Sequence, residues 1–183
     1  MATIYTIGHS THSQSEFEEM LRSRGISRLV DIRRYPGSRR YPHFSKDSLA
    51  EWLPAVGIEY VHELALGGRR KPDEDSPNTY WRNAQFRAYA DYMSSPEFKG
   101  ALGRLLDMAS QHPTAIMCAE AVPWRCHRNL VADALVARGH QALHIMTASK
   151  ADPHVLNPHV DITPDGTLIY REKLAEQREL FET

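Results

Sequence analysis

Five short apolar runs separated by stretches of helical spacing constrain this chain more than any other feature. The runs are Ile4-Tyr5-Thr6-Ile7, Arg28-Leu29-Val30-Asp31-Ile32-Arg33, Ile58-Glu59-Tyr60-Val61-His62-Glu63-Leu64, Thr114-Ala115-Ile116-Met117-Cys118 and Ala142-Leu143-His144-Ile145-Met146. Between them, apolar residues recur three and four apart: Phe17, Met20 and Leu21; Leu49, Trp52, Leu53 and Val56; Phe86, Tyr89, Ala90 and Met93; Phe98, Leu102, Leu105 and Met108; Leu130, Val131, Ala134 and Leu135. Strands alternating with helices need crossovers long enough for parallel pairing, and parallel sheets are covered on both faces. The expected fold is therefore a three-layer α/β architecture with a mainly parallel central sheet of about five strands.

Local signals add detail to that frame. Ser15 with Glu18 reads as a capping box and Gly25 as a helix stop, while Pro54 should shorten its helix. Ser95-Pro96 supplies a cap and a first-turn proline. Val160-Asp161-Ile162, Pro164-Asp165-Gly166 and Leu168-Ile169-Tyr170 read as a small C-terminal β-hairpin, with a charged helical tail beyond it. The 183 residues fit a single α/β domain, residues 1–183, with a core over about 3–148 and the hairpin and tail over about 158–183.

Charge and composition exclude several function classes. Twenty-two Lys and Arg against 23 Asp and Glu give a net charge of -1, so coating of nucleic acid by global basicity is ruled out and any anion site must be local. No apolar run reaches the roughly 20 residues that span a bilayer, and the start MATIYTIGHS has no signal-peptide pattern, so a cytoplasmic protein without a membrane partner is expected. Two cysteines, Cys118 and Cys126, do not make a disulfide framework. Oligomeric state is not legible.

Ligands of parallel α/β sheets bind beyond the carboxyl ends of the strands. Those ends carry Gly8-His9-Ser10, Asp31 and Arg33, Gly67-Gly68-Arg69, and Cys118-Ala119-Glu120 followed by Pro123-Trp124-Arg125-Cys126-His127-Arg128. Cys126, at an expected helix start flanked by Arg125 and Arg128, is the better candidate for an activated thiol, and Cys118 reads as a core residue. Glu120 is a candidate general acid or base, or else a salt-bridge partner of Arg125 or Arg128. Asp31 and Arg33 share a strand face and either hold a ligand together or hold each other. His9 can reach a ligand from its strand end, or serve as a loop hydrogen-bonding residue. Cys118, Cys126 and His127 leave a metal ion open as a cofactor, although their spacing matches no standard zinc pattern. Arg33-Arg34-Tyr35, Arg39-Arg40-Tyr41 and Tyr80-Trp81-Arg82 read either as phosphate-holding, base-stacking segments or as solvated surface. Neither a Gly-x-Gly-x-x-Gly fingerprint nor a P-loop is present.

Taken in order, Thr6-Ile7-Gly8-His9-Ser10, Leu29-Val30-Asp31-Ile32-Arg33 with Pro36 and Ser38, Leu66-Gly67-Gly68-Arg69, and Met117-Cys118-Ala119-Glu120 with Pro123 and Cys126-His127-Arg128 resemble the family called domain of unknown function 488. The resemblance runs from about Tyr5 to about Ile145 and implies a soluble α/β protein with no broadly assigned activity. It also implies that His9, Ser10, Asp31, Arg33, Gly67, Gly68, Cys118, Glu120, Cys126, His127 and Arg128 form a shared site. Residues 71–83 and the chain after Met146 lie outside the pattern.

The expected function is an enzyme acting on a nucleotide or nucleic-acid base by hydrolytic or transfer chemistry. Glu120, Asp31, Cys126, His127 and His9 are its candidate catalytic groups, with Ser10, Arg33, Gly67, Gly68, Arg69, Arg125 and Arg128 holding a small anionic ligand, a nucleotide or a short nucleic acid. Two alternatives stand beside it: a non-catalytic module that binds nucleotide or nucleic acid, and a metal- or thiol-dependent protein using Cys118 and Cys126.

Overall fold

The computed structural model describes residues 1–173. Its strands are β1 (Thr3–Gly8), β2 (Arg28–Asp31), β3 (Glu59–His62), β4 (Thr114–Cys118), β5 (Gln141–Ile145), β6 (Ala151–Pro153), β7 (Val160–Ile162) and β8 (Leu168–Tyr170). Its helices are α1 (Gln14–Arg22), α2 (Lys46–Ala55), α3 (Ala84–Tyr92), α4 (Pro96–Gln111) and α5 (Arg128–Ala137), with 3-10 turns at Pro42–Phe44, Leu64–Leu66 and Pro123–Arg125. The first six strands form one sheet in the order β3-β2-β4-β1-β5-β6, and β7 with β8 makes a separate hairpin. All neighbours in the large sheet are parallel except β5 and β6. The architecture is thus the expected α/β one with a sixth strand, β6, that is three residues long and ends in proline, too short to carry a periodic signal.

The alternation of side chains along the strands divides the core in two. Ile4, Val30, Ile32 and Ile116 face α3, α4 and α5, whereas Ile7, Leu29, Ala115 and Met117 face α1 and α2. The α1 cap is displaced from the expected position. Ser13 accepts from the Glu16 amide and Glu16 reaches back to the Ser13 amide, so the capping box is Ser13 with Glu16 and not Ser15 with Glu18. Pro54 sits in the last turn of α2, where its ring ends the helix without breaking it.

Beyond β5 the chain is anchored by a buried polar chain rather than by strand pairing alone. The fully buried Asp133 of α5 accepts from His154 Nε2 (2.8 Å), the Tyr170 hydroxyl (2.8 Å) and the Asn157 amide (3.0 Å). Because a carboxylate accepts, His154 carries its proton on Nε2. His154 Nδ1 then accepts from His144 Nε2 (2.9 Å), and His144 Nδ1 accepts from the Thr6 hydroxyl (2.7 Å). One carboxylate on α5 thereby orders β1, β5, the segment after β6 and the hairpin. The charged tail expected after the hairpin falls largely outside the described residues. No helix among the described residues is long and apolar enough to cross a membrane.

Asp133→Ala leaves one buried and two partly buried donors without an acceptor, and urea unfolding should show a loss of about 3 kcal/mol. Burial, reinforced by repulsion from His154 and Arg128, pushes the His144 pKa down to about 4. Its folded-state pKa lies below the unfolded value, so its stabilising contribution is complete above pH 6.5 and is lost as pH falls toward about 4. Melting temperatures taken across that window should fall more steeply for the wild type than for His144→Gln.

Candidate functional site

The register of the sheet sets the site. Gly8 pairs with Cys118 and Asp31 with Met117, which brings three strand ends to one edge, and pairing continues past them through His9 N to Cys118 O and Ser10 N to Ala119 O. The strand exits diverge here, β1 leading to α1 on one face and β4 to α5 on the other, the kind of switch point at which open α/β sheets bind ligands. Gly8 is required by this closeness, since a Cβ there would collide with the Glu120 carbonyl.

Arg128 fastens the loop that follows β4. Its guanidinium is almost wholly buried and donates from Nη1 to Glu120 O (2.5 Å) and from Nη2 to Ala121 O (2.9 Å). The partners are carbonyls rather than carboxylates, and Nε is buried without a hydrogen-bond partner. Arg128 thus has Nη1 and Nη2 engaged by the loop itself. It is a buried cation behind the loop, beside the two thiols.

The chain then turns through Pro123–Arg125, and α5 begins only at Arg128, so Cys126 precedes the helix rather than standing on its first turn. The Arg128 amide still points at Cys126 Sγ (3.4 Å). Cys126 Sγ donates to Cys118 Sγ at 2.6 Å and lies 3.7 Å from His127 Nδ1. His127 Nε2 donates to Ile32 O (3.1 Å), which turns Nδ1 toward the sulfurs. Gly68 permits this ring position, because a Cβ on it would lie 3.0 Å from His127 Nδ1.

Electrostatics invert the expected ranking of the two cysteines. Donation from the Cys126 thiol is the largest influence on Cys118 and, aided by His127 and Arg128, holds its pKa well below the ordinary thiol value against the cost of burial. Burial first, and then the adjacent Cys118, pushes Cys126 up. The two shifts run in opposite directions and favour ionisation of Cys118 before Cys126. The three donor atoms of Cys118, Cys126 and His127 lie within 4.8 Å of one another, a soft set of the kind that zinc takes. A tetrahedral ion about 2.3 Å from each sulfur would hold the two sulfurs roughly 3.8 Å apart. As they stand, they are seated against each other.

These groups form the floor of a cavity of about 340 Å³. Arg34, Arg69 and Arg125 line it together with Tyr35, Phe86 and Glu120. Arg69, in the left-handed backbone region at φ 56°, holds its guanidinium 5.6 Å from the Tyr35 ring. The Glu120 side chain is exposed at the wall and forms no ion pair with Arg125 or Arg128; it is the Glu120 backbone that Arg128 binds.

A second polar cluster belongs mainly to the α1/α2 side of the sheet. Arg33 grips Asp31 in two contacts, Nε to Oδ1 (2.9 Å) and Nη2 to Oδ2 (2.7 Å), and the Tyr60 hydroxyl donates to the same carboxylate (2.7 Å). Asp31 and Arg33 thus hold each other. Arg33 also reaches Phe44 O (2.8 Å), and its Nη1 donates to His9 Nε2 (3.3 Å). His9 then carries its proton on Nδ1, toward Ser10 O (3.0 Å), and stacks on Phe44. Burial, chiefly, lowers the His9 pKa. Arg33 lines the cavity; Asp31, His9 and Ser10 stand behind it as supports.

Gly67 gives room for Arg34, whose Cα a Cβ would approach to 3.1 Å, and does not itself line the cavity. Tyr80 and Trp81 pack against His159 and Tyr170 of the hairpin segment. Sequence reasoning missed Asn83, Gln85, Phe86 and Tyr89, which close the cavity from the start of α3. Asn83 accepting from the Gln85 and Phe86 amides is an N-cap that could have placed that helix start, but nothing local aims it at Cys118.

A family model described as Domain of unknown function DUF488 matches residues 13–135. The matched stretch includes Asp31, Arg33, Gly68 and the whole segment from Cys118 to Arg128, and stops short of His9 on one side and β5 on the other. No curated protein and no solved structure matches the chain significantly. With well over half its length matched, the chain belongs to the DUF488 family.

Proposed function

We propose that the cavity is the active site of an enzyme that performs hydrolytic or transfer chemistry on a nucleotide-class ligand, with Cys118 as nucleophile. The observation that carries this reading is the Cys118 sulfur at the cavity floor, in contact with the Cys126 thiol, with His127 and the buried Arg128 beside the pair helping to lower its pKa. Thiolates rather than thiols attack electrophiles. Arg34, Arg69 and Arg125 meet the negative charge of the ligand, and Tyr35 and Phe86 offer faces on which a base can stack.

In this reading the Cys118 sulfur bonds to the electrophilic centre as the leaving group departs, taking a proton from the Glu120 carboxyl. Water then attacks the thio-linked intermediate, its proton passes to the Glu120 carboxylate, and the Cys118 thiolate is restored. Asp31 and Arg33 act at one remove by fixing the end of β2 against the cavity. A free thiolate of this kind suits a reducing compartment, and the cytoplasm is the proposed location.

A panel of nucleotides and phosphate esters tests the reading by thermal shift and turnover. Cys118→Ser should abolish turnover, by a hundredfold or more in order of magnitude, while keeping the ligand-induced rise in melting temperature. Arg69→Ala and Arg125→Ala should each weaken binding by about tenfold and flatten its salt dependence. Full turnover by Cys118→Ser would remove the nucleophile, and the absence of any shift across the panel would remove the ligand class. Binding with no turnover in the wild type would favour the non-catalytic module.

The state of the sulfur is checked separately by iodoacetamide. Alkylation of Cys118 should proceed well below the pH at which an ordinary thiol ionises. Arg128→Met or His127→Asn should move its midpoint upward.

A further inference from the structure

We infer that Cys118 and Cys126 form a reversible disulfide on exposure to a hydroperoxide, which makes the cavity floor a site of oxidative modification. The inference rests on the reading of Cys118 as the reactive sulfur and is independent of what the cavity binds.

Geometry is the first argument. The two sulfurs are in contact at 2.6 Å, so a bond between them needs no rearrangement of distant segments. Access is the second. Both cysteines are buried, yet both line the cavity, which is wide enough for a peroxide and opens onto no other thiol, since the chain has only these two. Adaptability is the third: Cys126 lies between the Pro123–Arg125 turn and α5 rather than inside a regular element, so its side chain can adjust without unwinding a helix.

The flanking groups supply what the chemistry needs. The Cys118 thiolate attacks one peroxide oxygen, the O–O bond breaks, and hydroxide (or alkoxide) leaves, giving a sulfenic acid on Cys118. Cys126 passes its proton to His127 Nδ1, 3.7 Å away, and its sulfur attacks Cys118 Sγ. The S–O bond breaks, and the departing hydroxide takes up the proton from His127 as water. The net change is two thiols oxidised to one disulfide and one peroxide reduced. A small dithiol returns two electrons and two protons and restores the pair. The buried Arg128 guanidinium, with no carboxylate among its hydrogen-bond partners, favours the thiolate at the start of this sequence. In the disulfide form Cys118 has no lone thiolate, so chemistry that depends on it stops.

Intact-mass measurement of the full-length protein tests this. The reduced protein is treated with hydrogen peroxide, quenched with iodoacetamide and compared with an untreated sample. The expected product lacks two hydrogen masses, takes no alkylation, remains a single chain and regains two alkylatable thiols after dithiothreitol. A peptide map should join Cys118 to Cys126. Cys126→Ser should instead stop at a sulfenic acid that dimedone traps, and Cys118→Ser should react at least about tenfold more slowly. Retention of two alkylatable thiols by the wild type, or gain of oxygen without loss of hydrogen, overturns the inference. The wild-type measurement decides it even if neither variant folds. No substrate enters the readout, so a nucleotide panel without effect leaves the disulfide standing, and peroxide-resistant thiols leave the nucleotide reading standing.

Discussion

Arg128 is the residue on which the rest of the site depends. It begins α5, is buried, and spends two of its nitrogens on the Glu120 and Ala121 carbonyls. Those bonds fold the loop after β4 back over Gly8, where no side chain larger than hydrogen fits. The turn at Pro123–Arg125 follows from that path, and with it the placement of Cys126 against Cys118. A buried guanidinium is costly unless its donors are satisfied and its charge is met. Carbonyl dipoles satisfy two donors, and the neighbouring thiol pair is the group able to supply the charge. The same guanidinium adds to what the Cys126 thiol and His127 do in holding the Cys118 pKa low.

The second polar cluster solves the same problem differently. Arg33 is also buried, but its charge is neutralised by Asp31 at 2.7 Å, and Tyr60, Phe44 and His9 take up the remaining contacts. It forms a rigid neutral unit under the end of β2. His62 Nε2 donating to Arg33 O and His127 Nε2 donating to Ile32 O tie that unit to β3 on one side and to the thiols on the other. The stiffness of this strand end fixes the imidazole that faces Cys126.

Much of this was legible in the sequence, and the missing parts share a physical cause. The strand and helix alternation gave the sheet, its direction and the edge where polar groups meet, because apolar periodicity is a local property. Asp31 and Arg33, two apart on a strand, announced their shared face, though not whether they bind a ligand or each other. Cys118 looked like core because it closes an apolar run, and its lowered pKa comes from Cys126, His127 and Arg128, which reach it only through the loop path. Phe86 and Tyr89 were read correctly as helix-face residues, but their place at the cavity depends on how α3 crosses the sheet. The relay from Thr6 through His144 and His154 to Asp133 joins residues more than a hundred positions apart, and no spacing rule reaches that far. Pro153 disguised β6 for the opposite reason: a local signal spoke against a strand that edge position permits.

Charge accounting gives the site its polarity. A chain of net charge -1 has no general attraction for anions, so selectivity must come from which cations remain unpaired. Arg33 is matched by Asp31, and Arg128 is held by the Glu120 and Ala121 carbonyls beside the thiol pair. Arg34, Arg69 and Arg125 are the cationic groups of the cavity that stand outside these pairings, and all three belong to loops at the strand ends. If Cys118 carries the proposed thiolate, its loss by oxidation or alkylation would leave Arg128 as an uncompensated buried cation beside the floor. On the proposed reading the cavity would then become more positive, so the oxidised protein should hold an anionic ligand at least as well as the reduced one.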